Sequence, residues 1–353
     1  MVIQVKREIA GRTLTLETGL LAKQAHGSVT VSYGDSLILA TVVRAEARPG
    51  IDFFPLTVDY REKTYSAGRI PGGYFKREGR PSEKEILTMR LIDRPMRPMF
   101  PDGYRDEVQV MISVLSADES QDPDIISMIG SFAALAISPI PFKGNLGAVR
   151  VGRLDGKLVV NPTYAELEKS TLNLVVAGTN SAILMVEGGA KEESEEVLLD
   201  ALDLAHQVIG QVTDMIAELV EKCVVQKLPF TAPTVNETLL DQLKQKYAHR
   251  VREAVLQGGK TERNAAMELL YEQALEENVP DTEEDSEQPE EISAQVTTLM
   301  AKIEKDTVRN MILQEQKRAD GRGLKDIRPI SIAVDLLPKV HGSALFTRGQ
   351  TQA

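Results

Sequence analysis

His26-Gly27-Ser28-Val29-Thr30-Val31-Ser32-Tyr33-Gly34-Asp35-Ser36 has a second copy near the other end of the chain, His341-Gly342-Ser343-Ala344-Leu345-Phe346-Thr347-Arg348-Gly349-Gln350-Thr351. In both, a glycine falls six residues after the serine, and both are preceded by Gly-Arg, at Gly11-Arg12 and Gly321-Arg322. A repeat this widely spaced is a whole domain, not a solenoid unit of a few dozen residues. The sequence predicts one complete module, a connecting segment, and the opening strands of a second module cut off at Ala353.

Outward from the first copy, residues 13–18 alternate in polarity, and residues 28–43 are rich in β-formers around a turn at Tyr33-Gly34-Asp35, the pattern of a hairpin. Residues 53–60 read as another strand, and Ser66-Ala67-Gly68-Arg69-Ile70-Pro71-Gly72-Gly73 as a loop. Ser82 and Glu85 have capping-box spacing behind Pro81, so a helix starts there. Pro95, which lacks a backbone donor, is expected to end it. Residues 108–115 read as a strand and 122–137 as a helix. Short strands are expected at 147–151, 158–160, 172–177 and 183–186. Val197, Ala201, Ala205, Val208, Val212, Met215 and Leu219 then step by three or four along one amphipathic helix. Strands first and a long helix last predict an α+β core over residues 1–228. Residues 229–316 read as a small all-α domain with an acidic loop near 281–291, and residues 317–353 as the start of the second core.

The 353 residues are 42% hydrophobic, enough for a sizeable core, and no run of eighteen apolar residues predicts a membrane span. The amino-terminal segment lacks the apolar stretch of a signal peptide. Cys223 is the single cysteine, so an intrachain disulfide is excluded and a reducing cytoplasm is the expected compartment. The net charge of −11 argues against indiscriminate coating of nucleic acid. Its distribution is uneven: residues 61–105 hold eleven Lys/Arg against six Asp/Glu, whereas residues 276–291 hold nine Asp/Glu and no base. An acidic chain with one basic arc suits a polyanion held at one place.

Within that arc, Tyr74-Phe75-Lys76-Arg77 and Arg80 set aromatics beside cations, as single-stranded nucleic acid requires for stacked bases and paired phosphates; the alternative is a solvated surface loop. Arg90, Arg94 and Arg97 share one helix face. They read either as phosphate forks or as structural ion pairs with Asp93, Asp102 or Asp106. His26 and His341, each beside Gly-Ser, read as turn histidines in preference to catalytic bases; His206 reads as packing and Cys223 as inert. No zinc-spaced ligand cluster and no P-loop occurs.

Three stretches closely resemble the bacterial polynucleotide phosphorylase family: Phe54-Pro55-Leu56-Thr57-Val58-Asp59-Tyr60, Gly72-Gly73-Tyr74-Phe75-Lys76-Arg77-Glu78-Gly79-Arg80-Pro81-Ser82-Glu83, and Arg90-Leu91-Ile92-Asp93-Arg94-Pro95-Met96-Arg97-Pro98-Met99-Phe100. His341-Gly342-Ser343-Ala344-Leu345-Phe346-Thr347-Arg348-Gly349 resembles the start of that family's second core. The resemblance implies two RNase PH-like cores, each a mixed β-sheet with helices, joined by a helical domain. It also implies a homotrimeric ring and 3′-to-5′ phosphorolysis of single-stranded RNA by inorganic phosphate to nucleoside diphosphates, a reversible reaction served by Mg2+. Association with an endoribonuclease and a helicase in an RNA-degrading assembly belongs to the same expectation.

By this resemblance Tyr74, Phe75, Lys76 and Arg77 match the loop narrowing the RNA channel, with Tyr and Lys where Phe and Arg are commonest. Arg80, Arg90, Arg94 and Arg97 match arginines near the RNA path. The family's catalytic motif carries two aspartates and a lysine where this core has Thr171, Asn173 and Val175, and an earlier aspartate falls at Leu167. Neutral side chains do not hold magnesium as carboxylates do, so the first core is expected to be catalytically silent, with no metal site of its own and the metal ligands beyond residue 353. His341, Ser343 and Arg348 are candidates for contributing to the second site. The alternative is a non-catalytic RNA-binding or assembly module acting alone.

Overall fold

The first copy of the repeated segment lies at the centre of a six-stranded sheet. In a computed structural model, β1 (Ile3–Ile9), β2 (Arg12–Thr18), β3 (Gly27–Tyr33), β4 (Ser36–Ala45), β5 (Leu56–Arg61) and β6 (Glu107–Ser116) lie in the order β1-β2-β3-β4-β6-β5. Neighbours are antiparallel except for β5 and β6, which run parallel. The structure describes residues 2–48, 51, 53–232, 236–279 and 288–353, and for 288–291 the backbone alone. Tyr33 pairs with Ser36 across the predicted turn, where Gly34 takes φ +61°.

Three helices follow in chain order: α1 (Tyr74–Glu78), α2 (Glu83–Met96) and α3 (Asp124–Ala136). All residues of α3 are buried, and the helix packs on β3 and β4. Close approach there demands glycine: a Cβ on Gly27 would stand 2.1 Å from the Ala134 carbonyl oxygen, and one on Gly130 2.6 Å from Ile38 Cδ1.

Beyond α3, a four-stranded antiparallel sheet runs β10-β9-β7-β8, built from β7 (Gly147–Leu154), β8 (Lys157–Val160), β9 (Leu172–Gly178) and β10 (Ile183–Ala190). The six-residue α4 (Tyr164–Lys169) lies between β8 and β9. α5 (Glu195–Cys223) buries Ala201, Ala205, Val208, Val212, Met215 and Leu219 while packing on β1, β7 and β9. Lys227 then reaches the end of α3, where its Nζ donates to the Leu135 and Ser138 carbonyls, both at 2.8 Å. Burial pulls this ammonium down to about 8.

Two local readings need correction. Pro95 does not end its helix: α2 includes it and passes into a 3-10 turn, Arg97–Met99. In the last turn the missing donor forfeits one bond only, and the ring is buried. Tyr74–Glu78, read as loop, is one helical turn entered through Gly73 at φ +83°.

The chain divides into two compact units, Met1–Pro233 and Thr234–Ala353. In the second, α6 (Glu237–Val255), α7 (Lys260–Asn278) and α8 (Gln288–Asn310) enclose their own core, with Leu240, Tyr247, Val251, Leu270, Val296 and Met300 buried. Of the acidic loop expected near 281–291, residues 281–287 lie outside the described residues, and 288–291 begin α8. The second copy of the repeat lies in a three-stranded sheet, β11 (Ile330–Val334), β12 (Ala344–Arg348) and β13 (Thr351–Gln352), to which it supplies β12.

Candidate nucleic-acid interface

Ser82 caps α2 through a complete capping box. Its side chain accepts from the Glu85 backbone N–H at 3.2 Å, and Glu85 Oε2 accepts from the Ser82 backbone N–H at 2.6 Å. Glu85 also accepts from the Glu62 backbone N–H at 2.9 Å, tying the end of β5 to the start of α2. Burial raises its carboxyl, but the donors from Glu62 and Ser82 prevail and hold it below the usual range. Between these anchors α1 projects. Lys63 Nζ donates to the Arg77 carbonyl at 2.9 Å and to Glu78 Oε2 at 3.1 Å, fixing α1 from beneath.

The outward side of α1 is unusually apolar for a surface. Phe75 is 88% exposed and Tyr74 66%, with ring centroids 5.8 Å apart in an edge-to-face arrangement. Lys76, Arg77 and Arg80 are exposed as well, and among the described residues none of their cationic groups has an ion-pair partner. Exposed rings interleaved with unpaired cations offer stacking and phosphate contacts together.

The three arginines of α2 part ways. Arg90 is exposed and unpaired among the described residues. Arg94 forms an ion pair with Glu187 on β10. Arg97 holds Asp93 through Nη2 at 2.6 Å and Nε at 3.1 Å, donates to the Phe54 and Leu56 carbonyls at 3.2 and 3.3 Å, and lies 5.7 Å from the centre of the Phe54 ring. Four of its five donors are engaged inside the chain. For Arg97 the ion-pair alternative is the one observed, with Asp93 as partner.

The positions matching the family's catalytic motif lie on and beside β9. Thr171 Oγ1 donates to Glu193, which also pairs with Arg153 at 2.6 Å; both bonds hold the Glu193 carboxyl below its usual range. Asn173 Oδ1 accepts from Arg150 Nη1 at 3.3 Å. Val175 is a core residue, 6% exposed, and Leu167 is half-buried on α4. This donor set does not fit magnesium: one neutral amide, one hydroxyl and two hydrocarbons, with two guanidiniums alongside. Among the described residues no group of three His, Cys, Asp or Glu is placed to hold a metal ion.

Sequence reasoning missed the polar cluster behind these positions. Arg150 pairs with the buried Asp124 at the start of α3, and Asp124 accepts from the Ile125 backbone N–H at 2.7 Å. Burial pushes the Asp124 carboxyl up, against the pull of Arg150. Lys84 on α2 meets Glu62 at 3.0 Å, Asp122 at 3.3 Å and the Tyr164 hydroxyl at 3.3 Å. The available signal was Asp122-Pro123-Asp124, two carboxylates at a helix start that need cations nearby. The histidines behave as turn and packing groups: His26 Nδ1 accepts from the Arg44 backbone N–H at 3.0 Å, and His206 Nε2 lies 3.1 Å from the Thr179 carbonyl. His341 and Arg348 are exposed, and Ser343 Oγ accepts from the Leu337 backbone N–H at 3.0 Å.

A six-stranded mixed sheet, a buried helix, a four-stranded sheet and a long covering helix make an α+β core, and its sequence places it in the 3′ exoribonuclease class. Residues 10–141 match the 3′ exoribonuclease family, domain 1, and residues 144–208 its domain 2. Residues 238–323 match the polyribonucleotide nucleotidyltransferase RNA binding domain. Curated relatives named polyribonucleotide nucleotidyltransferase include those of Chloroflexus aggregans, 52% identical over 349 residues, and Roseiflexus sp., 50% identical over 349 residues; each alignment covers 99% of this chain and 46% of the relative. That of Heliobacterium modesticaldum is 46% identical over 346 residues, 98% of this chain and 48% of the relative. The solved structure of rice Rrp46 superposes with a TM-score of 0.47 at 15% identity, covering 62% of this chain and 94% of that one. The chain belongs to the polyribonucleotide nucleotidyltransferase family and carries its first RNase PH-like core and helical domain. It spans about half the length of the curated relatives it matches. No described helix is long and apolar enough to cross a membrane.

Proposed function

We propose that this chain is the RNA-holding, catalytically silent portion of a phosphorolytic 3′-to-5′ exoribonuclease. The observation that carries the reading is the α1 platform: two exposed rings beside cations that have no ion-pair partner among the described residues, on a chain whose overall charge is negative. Residues 1–228 are the silent first core, residues 229–316 the helical domain, and residues 317–353 the opening of a second core.

In the whole protein, Tyr74, Phe75, Lys76, Arg77, Arg80 and Arg90 grip a single strand at the mouth of a channel formed by three chains. The strand's 3′ end passes to the second core. There an oxygen of inorganic phosphate bonds to the terminal phosphorus, the bond to the neighbouring 3′ oxygen breaks, and a nucleoside diphosphate leaves. Mg2+, held by residues of the second core, would supply charge neutralisation for that transfer. His341, Ser343 and Arg348 stand at the opening of that core. The setting is cytoplasmic, with an endoribonuclease and a helicase as partners in RNA decay.

The test is phosphorolysis of labelled poly(A) with phosphate and magnesium, by this chain alone and together with a separately made second core. ADP release only from the combination is expected. ADP from this chain alone would contradict the silent reading of Thr171, Asn173 and Val175.

A further inference from the structure

A cavity of about 380 Å³, open to solvent, lies beside α1 and does not include its exposed aromatic pair. Its walls are Arg61 at the end of β5, Lys63, Tyr65 and Arg69 from the connection that follows, and Arg77 of α1. That volume falls in the range of small-ligand sites, roughly 300–1,000 Å³. The only lining carboxylate among the described residues is Glu78, already bound to Lys63 at 3.1 Å.

The cations are poorly neutralised. Among the described residues the Arg77 guanidinium has no partner. Arg69 meets Glu119 at 3.6 Å, with both side chains more than three-quarters exposed, an arrangement that contributes little. Arg61 meets Asp59 through Nε at 2.8 Å, and among the described residues its two terminal nitrogens have no hydrogen-bond partner.

The wall is ordered by its own backbone. Residues Thr64–Ala67 form a 3-10 turn closed by Gly68, whose N–H donates to the Tyr65 carbonyl at 2.9 Å at φ +68°. The Arg69 N–H donates to the Thr64 carbonyl at 3.1 Å, and the Ala117 N–H to the Ser66 carbonyl at 3.0 Å, linking the turn to the residue after β6. Cations that line one cavity from a strand, a hydrogen-bonded turn and a helix lose less freedom on binding than side chains of a loose loop.

We propose that this cavity is a nucleotide site. Its arginines match the oxygens of a phosphate group through paired donors. Its volume exceeds what inorganic phosphate fills, and the Tyr65 ring, 52% exposed, gives a base a face to stack on. The ligand class is a nucleoside phosphate, arriving either as a free nucleotide or as one unit of a bound RNA strand. The inference does not depend on the α1 platform binding RNA.

Calorimetry on the full chain tests it with ADP, inorganic phosphate and an oligoadenylate. Arg61→Gln with Arg69→Gln should weaken ADP binding by about tenfold or more, since hydrogen bonds to charged groups are lost. Tyr65→Ala should weaken ADP and leave inorganic phosphate unchanged. Phe75→Ala with Lys76→Ala, outside the cavity, should leave ADP unchanged. Displacement of ADP by oligoadenylate identifies the ligand as a strand unit; coexistence of the two identifies a free nucleotide. Absence of ADP binding, or undiminished binding by a folded Arg61→Gln/Arg69→Gln variant, overturns the proposal. Should that double variant fail to fold, Arg69→Gln alone, at an exposed position, must still reduce ADP binding. Failure of the RNA reading is separate: oligoadenylate affinity unchanged by Phe75→Ala with Lys76→Ala.

Discussion

Arg150 Nη1 donates to Asn173 Oδ1 at 3.3 Å, while the same guanidinium pairs with the buried Asp124. The place that resembles a metal-ligand position is therefore occupied by an internal cation. A divalent ion entering there would meet both a missing carboxylate and a like charge. Asn173→Asp alone should accordingly produce an Asp–Arg pair and no metal site. Titration with Mn2+ should show no binding, and unfolding should shift by less than about 1 kcal/mol, because residue 173 is exposed. Stoichiometric Mn2+ binding by this single variant would contradict the account of silencing.

The Asp124–Arg150 pair itself is expected to be costly to break. Asp124 and Arg150 side chains are only 4% and 12% exposed. Removing one partner leaves an uncompensated buried charge, worth about 3–5 kcal/mol. Asp124→Asn or Arg150→Met should each lower stability on that scale in urea unfolding. The double variant should lose clearly less than the sum of the two, since neither charge is then left alone; additive losses would count against a direct coupling.

Gly27 and Gly342 are the same residue of the repeat in different surroundings. A Cβ at Gly27 meets the Ala134 carbonyl oxygen at 2.1 Å, whereas one at Gly342 meets nothing within 4 Å. Gly27→Ala should separate β3 from α3 and destabilise by about 1–3 kcal/mol or more. Gly342→Ala should be close to neutral in this chain. Melting temperatures of the two variants decide the matter, and equal shifts would refute the packing explanation.

Glu85 links pH to the base of the α1 platform. Its carboxyl lies below the ordinary value in the folded chain, so the unfolded chain binds the proton more readily. Its stabilisation is complete above the unfolded carboxylate range, about 4.3, and is lost as pH falls through the lower folded value. Glu85→Gln should be less stable than the parent near neutrality and converge with it in acid. A difference that stays constant over the acid limb would rule this link out.

Much of this is legible in the sequence. The hairpin around Tyr33 and Ser36, the capping box at Ser82 and Glu85, and the α5 stripe all arise from local periodicity and cap chemistry, which the sequence carries directly. Pro95 was misread because a general rule about proline ignores position: near a helix end the lost bond matters little. α1 was hidden because glycines precede it and its five residues are too few to show a period. The Asp124–Arg150 and Lys84–Asp122 contacts join residues far apart in the chain, and no local pattern encodes such pairing. The same holds for the cavity beside Tyr65, whose walls come from β5, a turn and α1.

The sharpest contrast is between Arg97 and the Lys76–Arg77 pair. All are cations of one basic arc, yet Arg97 is bound by Asp93, two carbonyls and the Phe54 ring, while the cationic groups of Lys76 and Arg77 stand free among the described residues. Phosphate contacts on a single strand each contribute about 0.7 to the salt slope. Lys76→Ala with Arg77→Ala should therefore weaken oligoadenylate binding and flatten its slope by about 1.4. Arg97→Ala should instead lower the melting temperature and leave the slope intact, because four of its five donors are held by Asp93 and the Phe54 and Leu56 carbonyls. Fluorescence anisotropy across a salt series, with thermal unfolding beside it, separates the two. If Arg97→Ala flattened the slope without loss of stability, the arginine would belong to the RNA path after all, and its hydrogen bonds to Asp93 would have to break on binding.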